Sequence, residues 1–503
     1  MRLSYQADLI KNKQVGVIDI GSNSVRFVVY SISGAAFAPI YDEKVLAGLG
    51  RDLRRTGKLN PQGRVQALEA LKRFSALAKA QNLDDVLIAA TAAMRDADDA
   101  LEFIGLVKAQ TGFDISPLSG EDEALMSANG VIAGEPRARG LAADLGGASL
   151  ELVQVSGGQT YSGVSYQLGP FSMFDGAFDP AELRPRIETM LGADIAKDYP
   201  HIDTLYLIGG AWRKLAIIDQ KRNGYPLRVA HNYSFGTAHA RELAEWAYSS
   251  EGAAELLNWP NISQRRADTL PYGGLMLSVL LDRLSPEHVV IAPGGLRDGL
   301  VYQWLSVDAK KQDALFDACA SIAGQSTEGA KMGDAIFKFL SGIHVDLPRV
   351  FDLETEDRIR KAASLLMSTG AGLHPDHRAK IVYEIALYGP LPGLTHKERA
   401  YLALMLFRAY RSRKTPPDSA VIHHLLNENE QLSAQIYGEA MRAAVVLSGR
   451  CPAALEKFTI AVNGETLALR MDADVEALII ERTRTHFEDL AKMIQKTFTA
   501  ETY

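Results

Sequence analysis

The chain has 503 residues, 47% hydrophobic and 23% charged, an ordinary composition for a globular protein with room for several domains. A net charge of −7 argues against wholesale nucleic-acid binding, and two cysteines, Cys319 and Cys451, supply neither a disulfide framework nor a zinc site. The opening MRLSYQADLIKNKQ lacks the apolar core of a signal peptide and no later run reaches membrane-spanning length, so a cytoplasmic location is expected.

The first predicted element is a hairpin at 15–30, VGVIDIGSNSVRFVVY. Both halves are rich in β-branched and aromatic residues, and a Gly/Ser/Asn cluster separates them. Asp19 ends the first strand, and Gly21, Ser22, Asn23 and Ser24 follow as a tract of small residues. Small residues let a ligand approach the backbone N–H groups, and a carboxylate beside them suits a magnesium-bound phosphate. An ordinary tight hairpin with a capping Asp has the same local pattern. A helix is expected from Pro61 to Lys79, a strand from Val86 to Ala90 and a helix from about Ala97 to Ala109, the βα alternation of an α/β domain. The strand VLIAA runs into Thr91, and Arg95 follows before the next helix, where it could neutralise a transferring phosphoryl group or simply sit at the surface. SPLSGEDEALMSANG at 116–130 stacks Glu121, Asp122 and Glu123 at a helix start. That pattern fits a capping cluster, and it also fits a general base aimed at water.

At 140 the opening phrase returns. GLAADLGGASLELVQV lays over GVIDIGSNSVRFVVY, with Asp144 on Asp19, Gly146 on Gly21 and Ser149 on Ser24. A repeated phosphate-type hairpin suggests a duplicated domain whose two turns face each other across a cleft. Two more strand-to-glycine junctions follow, TLYLIGGAWRKLA at 204–216 and HVVIAPGGLRDGLVY at 288–302. Such turns are anion sites or plain βα connections, and the second reads as a plain connection. From about 305 the pattern becomes helical; near the end FTIAVNGETLALRM reads as a hairpin joined by Asn463-Gly464, and a helix from about Asp474 to Lys496 is expected to finish the chain. There is no Walker A loop, no GxGxxG and no His-Asp dipeptide. His374-Pro-Asp-His377 reads as an exposed loop, and His423-His424 gives no useful metal geometry.

Taken in order, DIGSNSVRF, TAAMR, SGEDEA, ADLGGASLELV, IGGAWR, RRAD and GGLRDG resemble the Ppx/GppA family of exopolyphosphatases and guanosine pentaphosphate phosphohydrolases, over residues 15 to about 300. The resemblance implies an α/β fold with a duplicated, actin-like two-lobed core (the sugar kinase, heat-shock chaperone and actin architecture). The lobes are expected at 1–135 and 136–305. A mainly helical, degenerate His-Asp-hydrolase-like domain at 306–455 and a small α+β appendage at 456–503 would follow. Met367 and Ser368 stand where that helical fold would carry its metal-binding His-Asp pair, so a binding or dimerisation role is expected there.

By the same resemblance, Glu123 is the catalytic carboxylate that activates water, with Arg95 near the terminal phosphate. Asp144 and Glu151, with Asp19, would hold Mg2+. Gly21, Ser22, Asn23, Ser24, Gly146, Gly147, Ala148, Ser149, Gly209 and Gly210 would cradle phosphates, and Arg408, Arg411, Arg413 and Lys414 form a candidate polyanion groove or a solvated helix end. The second turn departs from the family, reading GGAS followed by Leu150 where GGGS and Thr are commoner. Trp212 stands where many members have a small residue or Thr, and it is expected to shape one wall of the cleft. The activity implied is removal of terminal phosphate from inorganic polyphosphate, with guanosine pentaphosphate (pppGpp, giving ppGpp) as the rival substrate and a homodimer as the assembly. A kinase or chaperone of the same superfold is opposed by Glu123 in SGEDEA. A non-catalytic sensor of polyphosphate or alarmone would keep binding and release no phosphate.

Overall fold

The computed structural model describes residues 12–173, 178–193, 195–260, 262, 269–324, 327–411 and 415–503. These fall into two compact units, one of residues 12–224 and 228–312, the other of Asp313–Tyr503 with Tyr225–Leu227. Among the described residues no helix is long and apolar enough to cross a membrane.

The first unit is built on two sheets. Strands β1 (Lys13–Ile20), β2 (Val25–Ser33), β3 (Ala36–Val45) and β4 (Asp85–Ala90) form a sheet of order β3-β2-β1-β4. Strands β5 (Gly140–Leu145), β6 (Leu150–Ser156), β7 (Gln159–Tyr166), β8 (Thr204–Ile208), β9 (Ser234–Gly236) and β10 (His288–Ile291) form a second, of order β7-β6-β5-β8-β10-β9. The repeat read in the sequence is a repeat of topology: in each sheet a hairpin pair is antiparallel and its first strand pairs in parallel with the strand beyond it. Register repeats too, Asp19 facing Arg26 in one hairpin and Asp144 facing Glu151 in the other.

The strands read as near-continuous apolar runs because both faces of the first sheet are covered. Ile18, Ile20, Val25 and Phe27 point into a core shared with Leu71, Phe74 and Phe103 of the Pro61–Ala80 and Ala100–Thr111 helices, while Val15, Val17, Val28 and Tyr30 pack under Val301 and Leu305. That second cover comes from the far end of the unit. The Leu296–Trp304 helix follows the second sheet in the chain yet packs on the first, and the Gly120–Gly134 helix precedes the second sheet and packs on it through Ala124, Ala128, Val131 and Ile132. The two helices meet at glycine. A Cβ on Gly130 would stand 2.2 Å from the Gly295 carbonyl oxygen, and one on Gly299 would stand 1.7 Å from that of Met126, so only bare backbone permits this approach.

The second unit is mainly helical, with long helices at Leu353–Leu366, His396–Tyr410 and Glu428–Ser448 around buried Tyr383, Tyr401 and Tyr437. Met367 is buried, and its carbonyl accepts from Tyr410 Oη at 2.6 Å and Arg450 Nη1 at 3.2 Å.

Two terminal expectations are corrected. Strands β11 (Phe458–Asn463) and β12 (Thr466–Met471) form the expected hairpin, but Asn463 pairs with Thr466, so the two-residue turn is Gly464-Glu465, with Gly464 taking φ +57°. The final helix spans only Glu481–Met493. Gln495 breaks it at φ +57°, and β13 (Thr497–Thr502), with three Thr and Phe498, ends the chain as a parallel partner of β12.

Candidate active site

The two matched turns are built alike. Gly21 N–H donates to the Ser24 carbonyl at 3.0 Å, and Gly146 N–H donates to that of Ser149 at 2.9 Å. The carbonyls of each turn are fastened from behind. Gly50 and Gly48 donate to Ser22 and Asn23, and Phe171 and Gly169 donate to Gly147 and Ala148. The amides of Ser22, Asn23, Gly147 and Ala148 have no partner among the described residues, so each turn presents free donors. Asn23 Oδ1 is also buried without a partner. Ala148 fits the second turn at no backbone cost, because neither it nor Gly146 or Gly147 takes a positive φ.

The helix of SGEDEA starts at its N-cap, Ser119, whose Oγ accepts from Asp122 N–H at 3.0 Å. Glu121 and Asp122 are exposed and cap the helix. Glu123 alone of the three turns inward, with its side chain 14% exposed, and it meets Arg95 Nη1 at 3.3 Å. Arg95 also donates to the Leu118 carbonyl at 3.2 Å, which ties the TAAMR loop to the start of this helix.

Electrostatics join Glu123 to both turns. Burial, then Asp144 and Asp19, push its carboxyl from 4.5 up to about 7 against the pull of Arg95. Burial raises Asp144 too, and Ser127 Oγ at 2.5 Å opposes the rise. Glu151, 2% exposed, is raised well above the usual range by burial and by Glu123 and Asp144, with Ser165 Oγ donating to it at 2.9 Å. Asp19 Oδ2 accepts from Arg297 Nη1 at 2.8 Å.

Hard carboxylate oxygens in excess of their counter-charges suit a hard divalent cation. No three His, Cys, Asp or Glu side chains among the described residues converge to hold an ion by themselves. Magnesium commonly keeps several waters and takes only one or two protein carboxylates plus phosphate oxygens, so the donor set fits such an ion brought with a phosphate chain.

Gly209 begins the IGGAWR turn at φ +121°, where its Cβ position lies 2.6 Å from the Leu145 carbonyl; Gly210, next along, opens into free space. This IGGAWR turn therefore lies against the residue after Asp144. Trp212 is not a cleft wall: it is 1% exposed, and its Nε1 donates to the Gly273 carbonyl at 2.8 Å inside the core. Four contributors were not singled out from sequence. Arg297 was hidden in a turn that reads as a plain connection, although GGLR echoes GGAWR. Ser127 stands one helical turn after Glu123, the spacing that places both on one face. Arg213 and Ser165 carried no signal of their own.

Elsewhere, Arg408 Nε meets Glu439 at 3.1 Å, and Arg411 Nη2 donates to the Asp376 carbonyl at 2.8 Å. Arg413, Lys414 and the RRAD motif at 265–268 lie outside the described residues. His374 and Asp376 are exposed on the turn before the Arg378–Tyr388 helix.

The Ppx/GppA phosphatase family matches residues 28–307, more than half of the chain, and the exopolyphosphatase C-terminal family matches 336–499. The chain belongs to the Ppx/GppA phosphatase family. The Ppx/GppA family member of Aquifex aeolicus is 23% identical, covering 58% of this chain and 97% of that one at a TM-score of 0.51. An exopolyphosphatase from Cytophaga hutchinsonii is 20% identical over 58% of this chain and 98% of that one, with a TM-score of 0.53. Both share the two-sheet, actin-like fold. Retrograde regulation protein 2 of Saccharomyces cerevisiae is 24% identical over 443 residues, 80% of this chain and 73% of that protein.

Proposed function

We propose that this protein is an exopolyphosphatase, a hydrolase that removes the terminal phosphate of inorganic polyphosphate with water activated by Glu123. The observation that carries the proposal is the placement of Glu123. It is the one inward carboxylate of its helix start, paired to Arg95 and within electrostatic reach of the aspartate beside each free-amide turn.

The chemistry follows from that arrangement. The free amides of Ser22, Asn23, Gly147 and Ala148 donate to phosphate oxygens from two sides and hold the chain end in line. Glu123 accepts a proton from water as the water oxygen bonds to the terminal phosphorus. The bridging P–O bond breaks, and the shortened chain leaves with its electron pair. Arg95, on the same carboxylate, is placed to meet the charge of the terminal group. Magnesium, held by Asp144 and Glu151 with Asp19 near, would neutralise oxygens of the transferring and leaving phosphates.

Guanosine pentaphosphate presents the same terminal anhydride and is the second substrate to test. The regulation protein among the relatives favours a further reading, a sensor that binds without turnover. Phosphate release is measured from long-chain polyphosphate and from guanosine pentaphosphate, side by side, with magnesium and then with EDTA. Magnesium-dependent release from polyphosphate is the expected result. Release only from the nucleotide would make the protein an alarmone phosphatase, and binding without release would make it a sensor.

A further inference from the structure

We infer that Arg213 is a phosphate-binding residue of the same cleft, pairing its guanidinium with a phosphate of the bound polyphosphate chain; this rests on the substrate class proposed above. Among the described residues four arginines stand near the carboxylate cluster, and three have anionic partners. Arg95 meets Glu123 at 3.3 Å, Arg297 meets Asp19 at 2.8 Å, and Arg26 is paired to Asp42. Arg213 has no hydrogen-bond or ion-pair partner among the described residues, and its Nε is buried with nothing to donate to.

Its surroundings do not repair this. The carboxylates that act on it are Asp298 and Asp144, and both are engaged. Asp298 accepts from Tyr30 Oη at 3.2 Å and from Gly295 N–H at 3.0 Å, and Asp144 accepts from Ser127. Arg297 and Arg26 add repulsion. A partly buried guanidinium whose Nε is buried and unpaired beside two others is costly, and a folded chain tolerates it where a ligand completes the pairing. The planar fork of arginine matches the oxygens of a phosphate.

The position is suited to that ligand. Arg213 sits in the first turn of the Gly210–Arg222 helix, where its N–H donates to the Gly209 carbonyl at 3.2 Å. The Gly209 turn packs on Leu145, the link between Asp144 and the free amides of the second cradle. Trp212, buried and bonded to Gly273, fixes this turn against the core, so the backbone that carries Arg213 is set before any ligand arrives.

The test uses Arg213→Gln and Arg213→Lys in the full chain. Steady-state phosphate release is measured, with thermal melts with and without magnesium tripolyphosphate. Loss of one charged hydrogen-bonding pair should raise KM about tenfold to a hundredfold in Arg213→Gln, with kcat within about threefold. Lys should restore part of the loss. The unliganded Arg213→Gln protein should melt at or above the wild-type temperature, because a desolvated unpaired charge has been removed, and its tripolyphosphate-induced shift should shrink. An unchanged KM and an unchanged ligand shift would overturn the assignment and leave the proposed function standing. A lowered melting temperature with kcat and KM both degraded would make Arg213 structural and also overturn it. If the wild type neither releases phosphate nor is shifted by tripolyphosphate, the proposed function itself fails, and the role of Arg213 fails with it. A wild type that is shifted without turnover leaves the ligand shift as the readout for Arg213.

Discussion

Replacing Glu123 by Gln should make the unliganded protein more stable and nearly inactive. Burial and two neighbouring aspartates raise this carboxyl from 4.5 to about 7, so the native state holds its proton more tightly than the unfolded chain does. The cost of ionising it is absent below about pH 4.5, grows between 4.5 and 7, and is fully present above 7. At about 1.4 kcal/mol per pH unit the cost at pH 8 is about 3 kcal/mol. The value of about 7 already contains the pull of Arg95, so the amide gains the whole of this, about 3 kcal/mol. For a unit of this size that corresponds to a rise on the order of 5 °C in melting temperature.

The assay is differential scanning calorimetry in EDTA at pH 8 and pH 5, with phosphate release from polyphosphate measured in magnesium. The variant should melt higher than wild type at pH 8 and near it at pH 5, where the wild-type carboxyl is already protonated. Magnesium should narrow the gap at pH 8 by stabilising the ionised cluster. Turnover should fall by about two to four orders of magnitude, the usual contribution of a positioned base, and the wild-type rate should rise with pH through a limb near or below 7. A variant that melts below wild type at pH 8, or one that keeps wild-type turnover, would refute the assignment of Glu123 as a strained, desolvated base.

Gly130→Ala places a methyl 2.2 Å from a backbone carbonyl that no rotamer can move, so it should cost about 3 kcal/mol and lower phosphate release with it; a wild-type melting temperature would show that the two helices can separate freely. In the second unit, Arg399 is buried and donates to the carbonyls of Ala386, Leu387, Gly389 and Leu391 at 2.7–3.4 Å, with burial pulling its guanidinium down to about 10. Arg399→Met should leave the Ala386, Leu387 and Leu391 carbonyls without this donor, Gly389 keeping the Leu391 N–H, and cost about 3 kcal/mol, read as an earlier transition of this unit in urea followed by circular dichroism; a gain in stability would mean that apolar packing suffices there.

What could be read directly from the sequence was local chemistry that occurs twice. A strand, an aspartate and a run of small residues specify a turn by themselves, and the return of the phrase 125 residues later marks both matched turns without any tertiary contact. The tail shows the limit of such reading. An amphipathic pattern from Asp474 to Lys496 looks like one helix, but the left-handed Gln495 and the β-favouring Thr497–Thr502 answer to a neighbouring strand, which no local pattern contains. The site has the same limit on a larger scale. Arg297 reaches Asp19 across 278 positions because the Leu296–Trp304 helix returns to the first sheet, and it can return only because Gly130, Gly295 and Gly299 let two backbones touch. Those glycines look like ordinary turn and helix residues in the sequence, yet they set the spacing between the helix of Glu123 and the helix of Arg297. The SGEDEA carboxylate is therefore legible as a motif, while the charges that surround it depend on a helix crossing that becomes visible only in three dimensions.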